Sequence, residues 1–198
     1  MDLQIANRNI STTDAVNDAD WDDEGDLWLA YYAGRRRAEE YDSEGLTGVI
    51  SPQIQTGFSA FEILSDGRIV IGAYDKKVHV SSNEGVALTN LAESSAIVNV
   101  VMEDHDGNLL VGTANGKLYR YDTTTWAVET LSLSHGNSIV SLEEYDNSTY
   151  HIGTQNGKLT QVDVTGFTEG DTYASSGKVI GSKEAFTGEI YIVTSSPT

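Results

Sequence analysis

Turn residues Gly25, Gly67, Gly107, Asn147 and Gly188 recur at intervals of 40 to 42 residues along this 198-residue chain. A second series, Gly72, Gly112 and Gly153, keeps the same step, with Ala30 and Val193 at the matching places near the two ends. Two of the units share almost the same words, Thr113-Ala-Asn-Gly-Lys-Leu and Thr154-Gln-Asn-Gly-Lys-Leu. A chain written as five copies of one short unit cannot bury each unit alone, so the units must bury one another.

The unit is clearest between Ile97 and Tyr121. Apolar residues alternate through Val98, Val100 and Met102, break at Asp106-Gly107-Asn108, resume over Leu109 to Val111, and break again at Asn115-Gly116 before Leu118, Tyr119 and Tyr121. Asp-Gly and Asn-Gly between apolar runs mark hairpins, because Gly tolerates the positive φ that such turns require. The pattern predicts strands over Ile97 to Glu103, Leu109 to Thr113 and Lys117 to Tyr121, with an outer strand near Trp126 to Leu131. Comparable outer strands are expected over Ile50 to Ile54 and Val86 to Leu91. Units begin near residues 16, 58, 97, 139 and 178. A period near 40 residues with three or four short strands is the pattern of a propeller blade. Helical solenoids need a 3.6-residue period that is absent, and a single sandwich would not produce five aligned copies. The expectation is an all-β, single-domain β-propeller of about five blades over residues 1–198. Leu3 to Ile10, through Leu3 and Ile5, would return as the strand that closes the ring.

The run Glu103-Asp-His-Asp-Gly-Asn-Leu-Leu-Val-Gly-Thr, followed by Asn115-Gly-Lys-Leu-Tyr-Arg-Tyr, resembles the propeller repeat of two-component-regulator sensors. That family's repeat carries an acidic turn, then a strand ending in Gly-Thr, then an Asn-Gly turn into an aromatic strand. The resemblance spans about 160 residues and is strongest in the third and fourth units. The position that is Trp in the family is Trp28 in the first unit, but Val70, Leu110, His151 and Tyr191 in the others. The resemblance implies the propeller fold; a sensor role would need attached domains that this sequence does not include.

Thirty acidic residues face 12 basic ones, for a net charge of −18, spread along the chain and not gathered in a tail. Such a charge opposes nucleic-acid binding. Three readings fit it: adaptation to high salt, ordinary acidity, and a cation-binding surface. No Cys is present, which excludes disulfides and thiol chemistry. No apolar run reaches membrane-span length, and the N-terminus lacks a secretion signal. Folding in the cytosol, with a final place there or in a particle released from the cell, is the expectation. These features suggest a non-enzymatic structural or adhesion module of a salt-loving system, such as a virion component (capsid decoration, turret or tail protein) of a haloarchaeal virus. Its partners would be other chains of an assembly, or a cell-surface glycan, and no cofactor is expected. A lectin-like glycan binder and a small glycoside-active enzyme are the alternatives.

Several residues are candidate sites. Arg35, Arg36 and Arg37, beside Tyr31, Tyr32 and Tyr41, join forks that suit carboxylate or phosphate to rings that stack on sugars. Their ordinary role would be pairing with Glu39, Glu40 and Asp42. The acidic turns carrying Asp20, Asp22, Asp104 and Asp106 could offer oxygens to Ca²⁺, although neither matches a calcium loop fully and Asp-Gly turns need no metal. The inner-strand acids Asp18, Asp20, Glu62, Glu103 and Glu143 could pair as glycosidase carboxylates. The four His share no metal-ligand spacing. Trp21, Trp28 and Trp126 suit packing between units better than sugar platforms.

Overall fold

The computed structural model describes residues 16–21, 25–31, 38–41, 46–50, 56–81, 88–90, 95–134, 136–184 and 190–195. Every regular element among them is a strand, and the strands form five separate antiparallel sheets. The first is a meander of β1 (Val16–Trp21), β2 (Leu27–Tyr31), β3 (Ala38–Tyr41) and β4 (Leu46–Ile50). The second runs through β5 (Phe58–Ile63), β6 (Ile69–Ala73), β7 (Val78–Ser81) and β8 (Leu88–Asn90). The third takes β9 (Val98–Glu103), β10 (Asn108–Thr113), β11 (Lys117–Asp122) and β12 (Val128–Ser132). The fourth takes β13 (Ile139–Asp146), β14 (Thr149–Thr154), β15 (Lys158–Asp163) and β16 (Thr168–Ala174). The fifth has only β17 (Val179–Glu184) and β18 (Ile190–Thr194).

The hairpins form where the turn residues demand them. Gly107 and Gly116 both adopt φ of +77°, the left-handed region that an L side chain rarely enters. A Cβ on Gly116 would also stand 2.8 Å from the backbone of Asn137, so both conformation and space fix this residue.

The core lies between sheets, in layers. Trp28, Ala30, Phe58, Phe61, Ile69 and Ile71 fill the first junction, where Trp28 and Phe61 stack at 6.3 Å. Ala60, Val70, Val80, Val98, Leu109 and Tyr121 fill the second. Leu110, Leu118, Ile139, Tyr150, Ile152 and Val162 fill the third. Residues alternate between the two junctions along each strand, so β6 and β10 read as nearly continuous apolar runs, as strands covered on both faces must. The recurring glycines belong to this packing. At Gly112 a Cβ would stand 2.5 Å from Ile139 Cγ2, and at Gly153 it would stand 2.8 Å from Val179 Cγ1. Gly72 meets Val98 in the same way. The first residues of β9, β13 and β17 therefore lie over the glycine of the sheet before each.

Inner strands pack in succession, β1 on β5, β5 on β9, β9 on β13 and β13 on β17. No comparable packing among the described residues joins the fifth sheet to the first. This corrects the expected propeller: the five sheets are open, and among the described residues they close into no ring. The physical reason is that the period specifies contact between consecutive units only. Closure is a contact between units far apart in sequence, and no repeat signal encodes it. The proposed closing residues Leu3 and Ile5 lie outside the described residues.

Candidate functional site

All five inner strands carry the same irregularity. In β5 the register passes from Phe58 opposite Ala73 to Ala60 opposite Gly72, leaving Ser59 as an extra residue. Asn99 is bulged in the same way in β9, Val140 in β13, Ile180 in β17 and Asn17 in β1. A bulge re-aims its extra side chain out of the ladder. Three of these residues, Ser59, Asn99 and Val140, share one cavity of about 270 Å³. Tyr74 and Gln155 from the ends of neighbouring hairpins complete it, with Ser138 and Lys178 from the segments that enter β13 and β17. Three of the five sheets, with the segment that enters the fifth, thus contribute to one small polar cavity.

Its hydrogen bonds are only partly made. The Asn99 amide donates from Nδ2 to Ser138 Oγ and to the Ile139 carbonyl, both at 2.8 Å. Gln155 N donates to the Ser138 carbonyl at 2.9 Å, holding this wall in place. Ser59 Oγ is buried and has no hydrogen-bond partner. Native interiors seldom leave such a group unpaired, and one that remains asks for an explanation. Leaving it so costs about 1–3 kcal/mol.

A larger cleft of about 490 Å³ lies between the outer parts of the third and fourth sheets, bordered by Asp106, Asn108, Arg120, Asp122, Glu129 and Val164 among others. Its polar groups are mostly engaged. Arg120 donates to Glu129 Oε2 and the Val164 carbonyl, and its guanidinium lies 4.6 Å over the Phe167 ring. Asp122 Oδ1 accepts from Thr124 N and Thr125 N, which hold its carboxyl below the usual range. This cleft is larger, but its wall is already satisfied, so the inner cavity is the better candidate.

The acids singled out in the sequence do different work. Asp20 accepts from Trp21 N at 2.8 Å and, across the junction, from Ile63 N at 3.1 Å. Glu62 accepts from Glu103 N, and Glu103 in turn from Ser65 N and Ser65 Oγ. Glu143 accepts from Ser182 N and Ser182 Oγ, both at 2.9 Å. These carboxylates stitch consecutive sheets together through backbone and hydroxyl donors. Asp104 is buried. Its Oδ1 accepts from Asn108 N at 2.7 Å and Asp106 N at 3.1 Å, and its Oδ2 accepts from the Tyr150 hydroxyl of the next sheet. Burial and that carboxylate push the Tyr150 phenol well up, so it stays a donor. Asp106 is exposed, 3.3 Å from His105 Nε2. Among the described residues no group of three or more His, Cys, Asp or Glu is arranged to hold a metal. Asp22, Tyr32 and Arg35 to Arg37 lie outside the described residues. Tyr31 ends β2 and Tyr41 ends β3, in a different sheet from any residue bordering the cavity. Trp21 is exposed, and Trp126 carries the Arg68 guanidinium 5.0 Å over its ring. Sequence reasoning missed Ser59, Asn99 and Ser138. The signal that could have found them is their place, one residue past the start of an inner strand or just before it.

No family model matches the chain, and no curated protein matches it. The resemblance to the two-component-regulator sensor repeat is therefore corrected, since it rested on turn and strand-end residues that any such hairpin favours. Among solved structures the chain is similar to the computationally designed Ika8 protein, with a TM-score of 0.70 at 16% identity, over 89% of this chain and 57% of that one. The chain thus spans little more than half of that protein's length, and the likeness concerns the fold alone. A synthetic protein gives no ground for a viral or adhesion role, and the module of a salt-loving virion expected from charge and a closed disc is withdrawn. Among the described residues no helix is long and apolar enough to cross a membrane.

Proposed function

We propose that the chain is a binding module for a small polar molecule, held in the cavity at the bulged ends of the inner strands, and not an enzyme. The observation that carries this is the convergence of the bulged residues Ser59, Asn99 and Val140 with Ser138, Gln155 and Lys178 on one polar hollow. The volume of about 270 Å³ falls just under the roughly 300–1,000 Å³ common for drug-sized ligands, which suits a smaller molecule. Among the described residues neither His nor carboxylate borders the cavity, so these residues supply binding groups and no carboxylate or imidazole acid–base pair.

The test separates a binding role from a structural one. Ser138→Ala removes the hydroxyl that accepts from Asn99 in the cavity wall and should cost the free protein about 1 kcal/mol. The same change should abolish stabilisation by polyols and small organic acids in a thermal-shift series. A variant that keeps the parent's ligand response would contradict the proposal.

A further inference from the structure

We infer that the ligand of this cavity is a hydroxycarboxylate: a small organic anion with at least one hydroxyl beside its carboxylate. The inference rests on the binding role proposed above and names its chemistry. The chain has 30 acidic side chains and a net charge of −18, yet among the described residues no acid borders the cavity, while Lys178 does. The described structure gives the Lys178 ammonium no ion pair and no side-chain hydrogen bond, in a protein where Arg68 and Arg120 both find carboxylates. A cation left uncompensated in a polar hollow of so acidic a molecule is complementary to an anion.

The remaining groups refine the class. Both N–H bonds of the Asn99 amide are spent on Ser138 Oγ and the Ile139 carbonyl, which leaves Asn99 Oδ1 as an acceptor open to a donor. Ser138 Oγ accepts from Asn99 and keeps its own hydrogen to give. The wall therefore offers one cation and one hydroxyl donor to an anionic group, and one acceptor to a hydroxyl. Sulfate satisfies only the first part, and a neutral polyol only the second. A hydroxycarboxylate satisfies both.

Calorimetric titrations of gluconate, its neutral counterpart sorbitol, and sulfate, at one fixed ionic strength, test this. The parent should bind gluconate about tenfold more tightly than sorbitol or sulfate, the worth of one charge-assisted hydrogen bond. Lys178→Met should bring gluconate down to the level of sorbitol, and Lys178→Arg should restore the preference. Binding of sorbitol as tight as that of gluconate would overturn the carboxylate inference while leaving the cavity a binding site. Sulfate matching gluconate would overturn the need for a hydroxyl. Binding of none of the three would overturn both this inference and the binding role.

Discussion

The junction between the third and fourth sheets and the junction between the fourth and fifth use one strand architecture and opposite chemistry. At the first, Tyr150 and Ile152 of β14 pack with Leu110, Leu118 and Ile139, and the buried Tyr150 hydroxyl donates to Asp104. At the second, the alternate residue of the same strand, His151, is buried against Ser182, with Nδ1 2.9 Å from Ser182 Oγ. Ser182 Oγ donates to Glu143, so the pattern closes when His151 carries its hydrogen on Nδ1 and accepts on Nε2 from Gln161 Nε2 at 3.3 Å. Tyr145 stacks on the ring at 4.4 Å. One face of a strand is thus held by apolar area, and the other by a chain of hydrogen bonds. Apolar burial is cumulative and directionless, whereas a buried polar chain gains little net energy and loses much when one member is removed.

That contrast can be broken or sharpened in order of effect. Ile152→Ala leaves a hole in the apolar junction and should cost about 3 kcal/mol in urea denaturation. A cost no larger than that of the polar changes below would show that the apolar layer is not the stronger seal. Tyr150→Phe strands the buried Asp104 carboxylate without its hydroxyl donor and should cost about 2 kcal/mol. Equal stability would mean that water replaces the phenol there. Ser182→Ala unlinks His151 from Glu143 at the polar junction, with an expected cost of about 1 kcal/mol. Chemical shifts of His151 should move with it, and a silent His151 ring would refute the network.

The smallest effect concerns pH. His105 meets Glu144 across the third and fourth sheets. Desolvation opposes its charge, but the Glu144 hydrogen bond, together with the charges of Glu144, Asp106 and Asp104, outweighs it and raises the pKa above the ordinary 6.5. A folded pKa above the unfolded one means that this contribution is complete below the unfolded pKa and fades as pH rises through the folded one. The melting temperature should therefore drop slightly more between pH 6 and pH 8 in the parent than in His105→Asn. Identical pH profiles would remove His105 from the account.

Much of the strand pattern was legible before any coordinates. Asp106-Gly107 and Asn115-Gly116 placed β9, β10 and β11 to within a residue or so, because Gly at positive φ is a local demand that sequence states directly. The outer strands were less so. Of the strand expected over Ile50 to Ile54 only Ile50 is described, as the last residue of β4, and of that expected over Val86 to Leu91 the described part is Leu88–Asn90. Outer strands pair on one edge only and carry a weaker pattern. The site was nearly illegible. Its bulge residues are Asn, Ser, Asn, Val and Ile, with no common chemistry, so repetition hid them. Only the glycines opposite were visible, and these report how the next sheet packs, not what the bulge presents. Nor does the sequence show that a carboxylate such as Glu62 or Glu143 accepts a backbone N–H from the next sheet.

The most direct test of the central claim, that the repeated bulges build a ligand site, is an amide-resolved NMR titration of the full chain with gluconate. The account predicts saturable shifts centred on Ser59, Asn99, Ser138 and Lys178, with Asn108, Arg120 and Asp122 of the outer cleft unmoved. Shifts confined to the outer cleft, or none at millimolar ligand, would contradict it.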